Sequence, residues 1–190
     1  MANANVAFGL KPVADAAGTP FNGALETCYV PATDGTALYI GDPVVVAGSA
    51  DAAGVRTVAR AAAGGPITGV VQGFSPDGTT NMVGYRAAST AAYVLICSDP
   101  DALFEIQEDA VGGALAAVDI GLNASIIVAA GNAYTKRSGV MLDTSTKATN
   151  AALELKIKGL AQRPDNALSA NSKVLVKINN HTDSNAVAGI

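Results

Sequence analysis

The chain has 190 residues and a net charge of −4, and charged residues make up only 15% of it. This balance argues against a nucleic-acid-binding protein, which would need a basic surface patch. Hydrophobic residues make up 49% of the chain, but many are alanines, which bury little area, so we expect stability to come partly from partner chains.

Residues 1–24 predict an extended N-terminal arm. Isolated apolar residues, Val6, Phe8, Leu10 and Phe21, lie among Asn, Gly, Pro and Ala without a helical or strand period. Such a segment is either a disordered tail or one that becomes ordered on a neighbouring molecule. Its first residues lack the basic and apolar regions of a signal peptide, so we expect synthesis and folding in a cytoplasm.

From residue 27 onward the pattern predicts short β-strands separated by Gly, Pro and Asp turns. A turn is predicted at 75–81, in SPDGTTN. In DALFEIQED, Phe104 and Ile106 alternate with Glu105 and Gln107, which predicts a strand with one exposed face. The predicted strands in this part are TCYVPA, TALYIG, PVVVAG, GVRTVARA, PITGVVQGF, AAYVLICSD and DALFEIQED.

The C-terminal third begins with an Ala- and Gly-rich stretch, residues 110–133, that predicts one short helical turn and a strand. In ALELKIKGL, Leu155 and Ile157 then alternate with Lys156 and Lys158, a period of two typical of a half-exposed strand. KVLVKIN predicts the closing strand. Lys156, Lys158 and Lys177 are expected on the exposed faces of these strands and are candidates for contact with an acidic partner surface, although simple solvation is the favoured interpretation for any one of them.

About eight to ten short strands at a spacing of roughly 8–12 residues predict an all-β fold, a small β-barrel or β-sandwich with little helix. The expected organisation is an arm (1–24), a barrel core (25–110), a second β segment that completes the core or projects from it (111–180), and a frayed tail (181–190). No stretch is apolar enough for a membrane span, so we expect no membrane association.

Residue types that carry chemistry are scarce. His181 is the single histidine and lies in a polar C-terminal segment, where we expect it to be solvated and too poorly held to serve as a general base. There is no Gly-x-Ser-x-Gly elbow and no phosphate-binding loop. The sequence therefore predicts no catalytic residue and no cofactor, and it argues against an enzyme.

Two features leave alternatives open. The acidic residues of SDPDALFEIQED could ligate calcium, but they lack the loop spacing of such sites, and a solvated edge is the favoured interpretation. Cys28 and Cys97 show neither a Cys-x-x-Cys spacing nor a nearby histidine. Two buried thiols are expected, with a disulfide as the alternative. We predict no metal site.

Four stretches of the chain resemble the capsid cement, or head decoration, proteins of tailed bacteriophages. The resemblance covers most of the chain and lies in the pattern of strands and turns. The stretches are MANANVAFGLKPV, DGTALYIGDPVVVAGSADAAGVRTVARAAAGGPITGVVQGF, YRAASTAAYVLICSDPDALFEIQED and LKIKGLAQRPDNALSANSKVLVKINNH.

The resemblance implies a virion structural protein on the outside of the head, with a tulip-like β core and extended arms. It would bridge major capsid subunits and stabilise the shell against internal DNA pressure. Its partners would be the major capsid protein and further copies of itself, a homotrimer being favoured over a dimer. In that role Val6, Phe8, Leu10 and Phe21 would contact the capsid. The alternative is a tail, baseplate or receptor-binding structural protein.

Overall fold

The computed structural model describes residues 3–76 and 84–184, and it confirms the predicted all-β class. Two single-turn 3₁₀ helices, at Ala117–Asp119 and Thr144–Thr146, are the helical elements of this part of the chain. Most of the turn predicted at 75–81 lies outside the described residues. The strands are β1 (Lys11–Asp15), β2 (Glu26–Val30), β3 (Leu38–Tyr39), β4 (Pro43–Ala50), β5 (Arg56–Arg60), β6 (Gly69–Phe74), β7 (Tyr85–Arg86), β8 (Ala92–Cys97), β9 (Ala102–Gln107), β10 (Asn123–Ala124), β11 (Ile126–Ile127), β12 (Met141–Leu142), β13 (Leu155–Leu160) and β14 (Lys173–Ile178).

Five strands form a closed barrel in the order β2-β5-β4-β6-β8. Neighbouring strands are antiparallel except at the closure, where β2 runs parallel to β5. Register shifts in β4 and β6 let these short strands curve, because an extra residue bends the strand that carries it. The barrel ends at Cys97, so β9 does not belong to it as the 25–110 boundary had assumed.

The second unit is a five-stranded antiparallel sheet in the order β1-β9-β14-β13-β10. Its first strand, β1, comes from the region expected to be an extended arm, and it pairs with β9 from Lys11 opposite Glu105 to Asp15 opposite Ala102. Strand β14 lies in the middle, between β9 and β13. The sheet therefore gathers its strands from both ends of the chain.

Two hydrophobic cores hold these units. The barrel interior contains Cys28, Val30, Leu38, Val44, Val58, Val71, Val94 and Ile96. The larger core lies between the outside of the barrel and the sheet, and Phe104 is its largest fully buried side chain. Val70 and Cys97 face this core, whereas their chain neighbours Val71 and Ile96 face the barrel interior. Strands β6 and β8 thus serve both cores, which explains why their sequences are apolar on both faces.

Both cysteine thiols are free and buried, one in each core. Burial raises the pKa of the Cys28 thiol to about 11 and also raises that of Cys97. Both thiols therefore stay protonated at neutral pH, and because the thiolate is the reactive form they are poor nucleophiles. The expectation of two buried thiols is confirmed.

One end of the barrel is closed around the guanidinium of Arg86, a residue of the short strand β7 that is only 2% exposed. It donates hydrogen bonds to the backbone carbonyls of Thr90 (2.6 Å), Thr36 (2.5 Å), Pro31 (2.9 Å) and Asp34 (2.8 Å). Burial lowers the pKa of Arg86. Because each carbonyl would otherwise need its own partner, this one side chain organises the two loops at that end.

A close crossing of two backbones joins the N-terminal segment to the barrel. The Leu10 N–H donates to the Gly41 carbonyl at 2.9 Å, and the Gly41 N–H donates to the Val71 carbonyl at 2.8 Å. Gly9 and Gly41 both have positive φ, and a Cβ on Gly41 would overlap the carbonyl oxygen of Phe8. The crossing therefore requires glycine both for its conformation and for its space.

We expect Gly41→Ala to lower the free energy of unfolding by about 2–5 kcal/mol, because a left-handed conformation costs about 1–2 kcal/mol and overpacking about 1–3 kcal/mol. Gly121→Ala is the matched control, since Gly121 has φ +97° against +96° at Gly41 but no atom within 4 Å of its would-be Cβ. It should lose only about 1–2 kcal/mol. Urea unfolding of both variants gives the comparison, and equal losses would show that the crossing is not crowded.

Candidate contact surfaces

The N-terminal segment is ordered on its own chain. The Asn3 side chain donates to the carbonyls of Ala167 (2.9 Å) and Ala170 (3.1 Å) and accepts from the Ala167 N–H (3.1 Å). Farther along, the Val6 N–H donates to the side chain of Gln107 at 2.8 Å. The segment thus lies across the outer face of the sheet instead of extending away from the core.

The four predicted capsid-contact residues differ in their surroundings. Val6 is 62% exposed and remains available for contact, whereas Leu10 is 1% exposed and belongs to the larger core. The prediction that Leu10 is a surface anchor is therefore wrong, because the crossing at Gly41 draws it beneath the barrel. Phe8 is half-buried, and Phe21 packs against the larger core.

The outer face of the sheet carries the predicted lysines. Lys156 and Lys158 are exposed, as the alternation in β13 predicts. Lys177 is partly buried and forms an ion pair with Asp101 at 2.5 Å. It is therefore already neutralised within the chain, and the two lysines of β13 are the more accessible pair.

Sequence reasoning was wrong about the rest of this face. Glu105, Gln107 and Glu108 were expected on an exposed edge but are all buried. The N-terminal segment covers Gln107, whose side-chain amide donates a hydrogen bond to Asn5 at 2.8 Å. Arg163, from the loop between β13 and β14, forms an ion pair with Glu105. The period of two places Glu105 and Gln107 on one face, but it does not show that other parts of the chain cover that face. Glu108 follows the end of β9 and is buried by its hydrogen bonds to Ala110 and Ser172.

The acidic residues that were considered as calcium ligands bind separate partners within the chain. Asp101 pairs with Lys177, and Asp109 accepts the Thr144 hydroxyl at 2.8 Å. Glu108 accepts the N–H groups of Ala110 (2.6 Å) and Ser172 (3.1 Å), and burial raises its pKa. Within residues 3–76 and 84–184, no group of three potential ligands from His, Cys, Asp or Glu lies close enough to hold a metal ion.

The most exposed apolar side chains lie on loops. Val111 is 76% exposed and Val118 85%, both in the connection between β9 and β10, which we call the 108–122 loop. Leu115 of the same loop is 2% exposed and anchors it in the larger core. The loop is also held by a hydrogen bond from the Gly112 N–H to the Thr144 hydroxyl at 3.0 Å and by the Lys147–Asp119 ion pair at 2.9 Å. It therefore presents apolar side chains from an ordered backbone.

Sequence analysis did not single out this loop, because its Ala- and Gly-rich pattern shows no period. The sequence feature that could have identified the loop is the presence of valines in a stretch without the alternation of a strand. Tyr134, 94% exposed on a turn organised by the side chain of Asn132, was missed for the same reason.

The C-terminal segment after β14 connects the sheet to the barrel. The Ile67 N–H donates to the Asn180 carbonyl at 2.9 Å, and the Thr182 N–H donates to the Ile67 carbonyl at 3.1 Å. Asp183 forms an ion pair with Arg56 of the barrel at 2.8 Å. We call residues 179–184 the C-terminal clasp. The frayed tail was expected at 181–190, but residues 181–184 belong to the clasp because the barrel supplies their hydrogen-bond partners. Residues 185–190 lie outside the described residues.

His181 lies in the middle of the clasp and is 1% exposed, so the prediction of a solvated histidine is wrong. Its Nδ1 accepts the Asp183 N–H at 3.0 Å, which places the proton of the neutral ring on Nε2. The Nε2 atom is buried and has no hydrogen-bond partner in the described residues. Burial lowers the pKa of His181 and keeps the ring neutral.

Beside the clasp lies a polar groove of about 590 Å³. Its walls come from the Pro100–Asp101 turn, from Lys156 and Lys177 of the sheet, and from clasp residues that include His181 and Ser184. The groove therefore lies where the sheet, the clasp and the turn before β9 meet.

A scan of the sequence against protein-family models found no match, and neither did searches of curated proteins and of solved structures. In residues 3–76 and 84–184, no helix has the length and apolar character needed to cross a membrane.

Truncation to alanine should lower the free energy of unfolding strongly at Leu10 and hardly at Val6. We expect Leu10→Ala to lower the free energy of unfolding by about 2–5 kcal/mol, the cost of a buried cavity. Val6→Ala should change it by less than about 0.5 kcal/mol, because most of Val6 is exposed. Chemical denaturation of both variants tests this, and a stable Leu10→Ala protein would contradict the buried position of Leu10.

Stability should fall on mild acidification because of His181. Its pKa is lower in the folded than in the unfolded chain, so its stabilising contribution is complete above the unfolded pKa of about 6.5 and declines as the pH falls toward the folded pKa. We expect His181→Asn, which keeps an acceptor for the Asp183 N–H, to reduce the slope of unfolding free energy between about pH 7 and pH 5.

The raised pKa values of Asp42 and Glu108 act in the opposite direction, since these carboxyls favour the folded state as they become protonated. The difference between the parent protein and His181→Asn in the pH slope of the unfolding free energy reports on the histidine alone, because both carboxyls are present in each protein. Identical slopes would contradict the neutral, buried state of His181.

Proposed function

We propose that this protein is a virion structural protein that decorates the outside of a tailed-phage head and bridges major capsid subunits. The observation that carries this proposal is the 108–122 loop, which holds Val111 and Val118 in solvent on an ordered backbone. Apolar side chains that an ordered backbone holds in solvent can be buried against a partner at little cost in loop ordering. The resemblance of the sequence pattern to head decoration proteins supplies the identity of the partner.

The double core supports a mechanical role. Strands β6 and β8 contribute to both cores, and the clasp holds the barrel against the sheet at a third place. Deformation of one unit would therefore disturb packing in the other, because close-packed interiors transmit strain. A protein that bridges capsid subunits needs this stiffness between its contact surfaces.

The same proposal assigns Val6 to the contact surface. Its side chain is exposed while its own N–H is held by Gln107, so little conformational freedom would be lost on binding. Lys156 and Lys158 would lie against acidic capsid surface, where long-range attraction mainly accelerates association. The favoured assembly is a homotrimer on the exterior of the virion capsid, after synthesis in the bacterial cytoplasm.

The test is co-sedimentation of the purified protein with isolated heads that lack it. We expect Val111→Ser combined with Val118→Ser to weaken binding at least about tenfold, because burial of a valine is worth about 1.5 kcal/mol or more. Ala114→Ser is the matched control: it lies in the same loop, is exposed, and removes little apolar area.

Saturable binding of the parent protein and of Ala114→Ser, with loss in the double variant, would support the proposal. Unfolding curves of the three proteins should coincide, since none of the three side chains is buried. A parent protein that ignores heads would overturn the proposal and favour a tail or baseplate position, which labelling of intact virions would reveal.

A further inference from the structure

One asparagine in the sequence, Asn22, is followed directly by a glycine, Gly23. The two residues lie in the exposed connection between β1, which belongs to the sheet, and β2, which belongs to the barrel. Just before them, the Phe21 N–H donates to the Val13 carbonyl at 3.0 Å. The pair is therefore open to solvent and follows a fixed point of the chain.

The side chain of Asn22 folds back over its own backbone. Its Oδ1 accepts the Ala24 N–H at 2.9 Å, which closes a turn between the side chain and the backbone two residues on. This turn brings the side-chain carbonyl group next to the peptide bond between Asn22 and Gly23. The same hydrogen bond stabilises negative charge that develops on Oδ1 when a nucleophile attacks Cγ. It therefore makes Cγ of Asn22 more electrophilic.

The adjacent nucleophile is the backbone nitrogen of Gly23. Within residues 3–76 and 84–184 its N–H donates no hydrogen bond, so no such bond has to break before the nitrogen attacks. Gly23 has no side chain, and no atom lies within 4 Å of the position that a Cβ would take, so ring closure meets no neighbour. Attack on Cγ of Asn22 closes a five-membered ring, an intramolecular step that benefits from proximity.

We propose that Asn22 is a site of spontaneous deamidation through a succinimide formed with Gly23. The Gly23 nitrogen loses its proton to base and forms a bond to Cγ of Asn22. The bond between Cγ and Nδ2 breaks, and the amide nitrogen takes up a proton and leaves as ammonia. Water then opens the ring at either carbonyl, which leaves aspartate or isoaspartate at position 22. The reaction is independent of head binding, since it requires only the single chain and water.

Deamidation changes the charge of a small cavity at this connection. Asn22 lines a cavity of about 120 Å³ together with Asp15 and Asp99, and no lysine or arginine of the described residues lines it. The product adds a further carboxylate there and makes the net charge of −4 more negative by one. The isoaspartyl product also inserts an extra atom into the backbone between the sheet and the barrel.

The test is incubation of the purified full-length protein at neutral and at mildly alkaline pH, followed by ion-exchange chromatography and mass spectrometry of its peptides. We expect an acidic fraction that is modified at Asn22 and accumulates faster at the higher pH, because the attacking nitrogen must lose its proton. Asn150 is an internal control. It is exposed and its Oδ1 accepts the Ala152 N–H at 3.0 Å, but Ala151 follows it, so it should keep its amide.

Two glycine variants distinguish ring closure from backbone strain. Gly23→Ala should slow the loss of the amide at least about tenfold, because the added Cβ hinders the nitrogen, and about 1.4 kcal/mol on a barrier gives that factor. Gly54→Ala is the matched control, since Gly54 has the same φ of +83° and likewise no atom within 4 Å of its would-be Cβ. It introduces the same strain elsewhere and should react at the parent rate. Both variants should fold, because neither new methyl group meets a neighbouring atom.

Formation of aspartate and isoaspartate at position 22 in the parent and in Gly54→Ala, with the amide retained in Gly23→Ala, would support the proposal. It would be overturned if Asn22 kept its amide as long as Asn150 does, or if the two glycine variants lost it at equal rates. Neither result would bear on co-sedimentation with heads, so the two proposals fail separately.

Discussion

The crossing of Gly9 and Gly41 is the constraint on which the other contacts depend. The two backbones approach so closely that a side chain on either would overlap the other strand, and Ser138 packs against the same place. The hydrogen bonds that follow from it link Leu10 to Gly41 and Gly41 to Val71. Next to it, the buried carboxylate of Asp42 accepts the Tyr39 N–H at 2.8 Å and holds the turn into β4. The N-terminal segment, the barrel and the loop before β12 are thus fixed relative to one another at one point.

The segments that leave the crossing pack into two hydrophobic cores. Leu10 enters the larger core, and β1 continues along β9 to form the edge of the sheet. The barrel contributes the opposite wall of this core through residues such as Val70 and Cys97. Burial of so many Val, Ile and Leu side chains between the units compensates for the small average size of the apolar residues. The alanine-rich composition therefore does not imply a weak core, because the large side chains are concentrated where the two units meet.

The sequence predicted well what depends on neighbours along the chain. Period two located β13 and β14, and apolar runs located β4, β6 and β8. In residues 110–133 it predicted one helical turn and one strand, where the structure has a 3₁₀ turn followed by the two short strands β10 and β11. It did not predict β1, β7 or β12, because these short strands are defined by pairing with distant partners. Leu10 and His181 were misplaced for the same reason: the carbonyl of Gly41 and the backbone of Ile67 that hold their segments lie far along the chain. Hydropathy shows which face a residue takes, but not what covers that face.

The C-terminal clasp connects a titratable side chain to the mechanics of the fold. His181 and Asp183 belong to the clasp that holds the barrel, while Lys156 and Lys177 of the sheet lie beside it. Protonation of His181 weakens this connection, because a charged imidazole is disfavoured in its buried place. The clasp thus adds a pH-dependent contact between the sheet and the barrel to the hydrophobic core that the two units share.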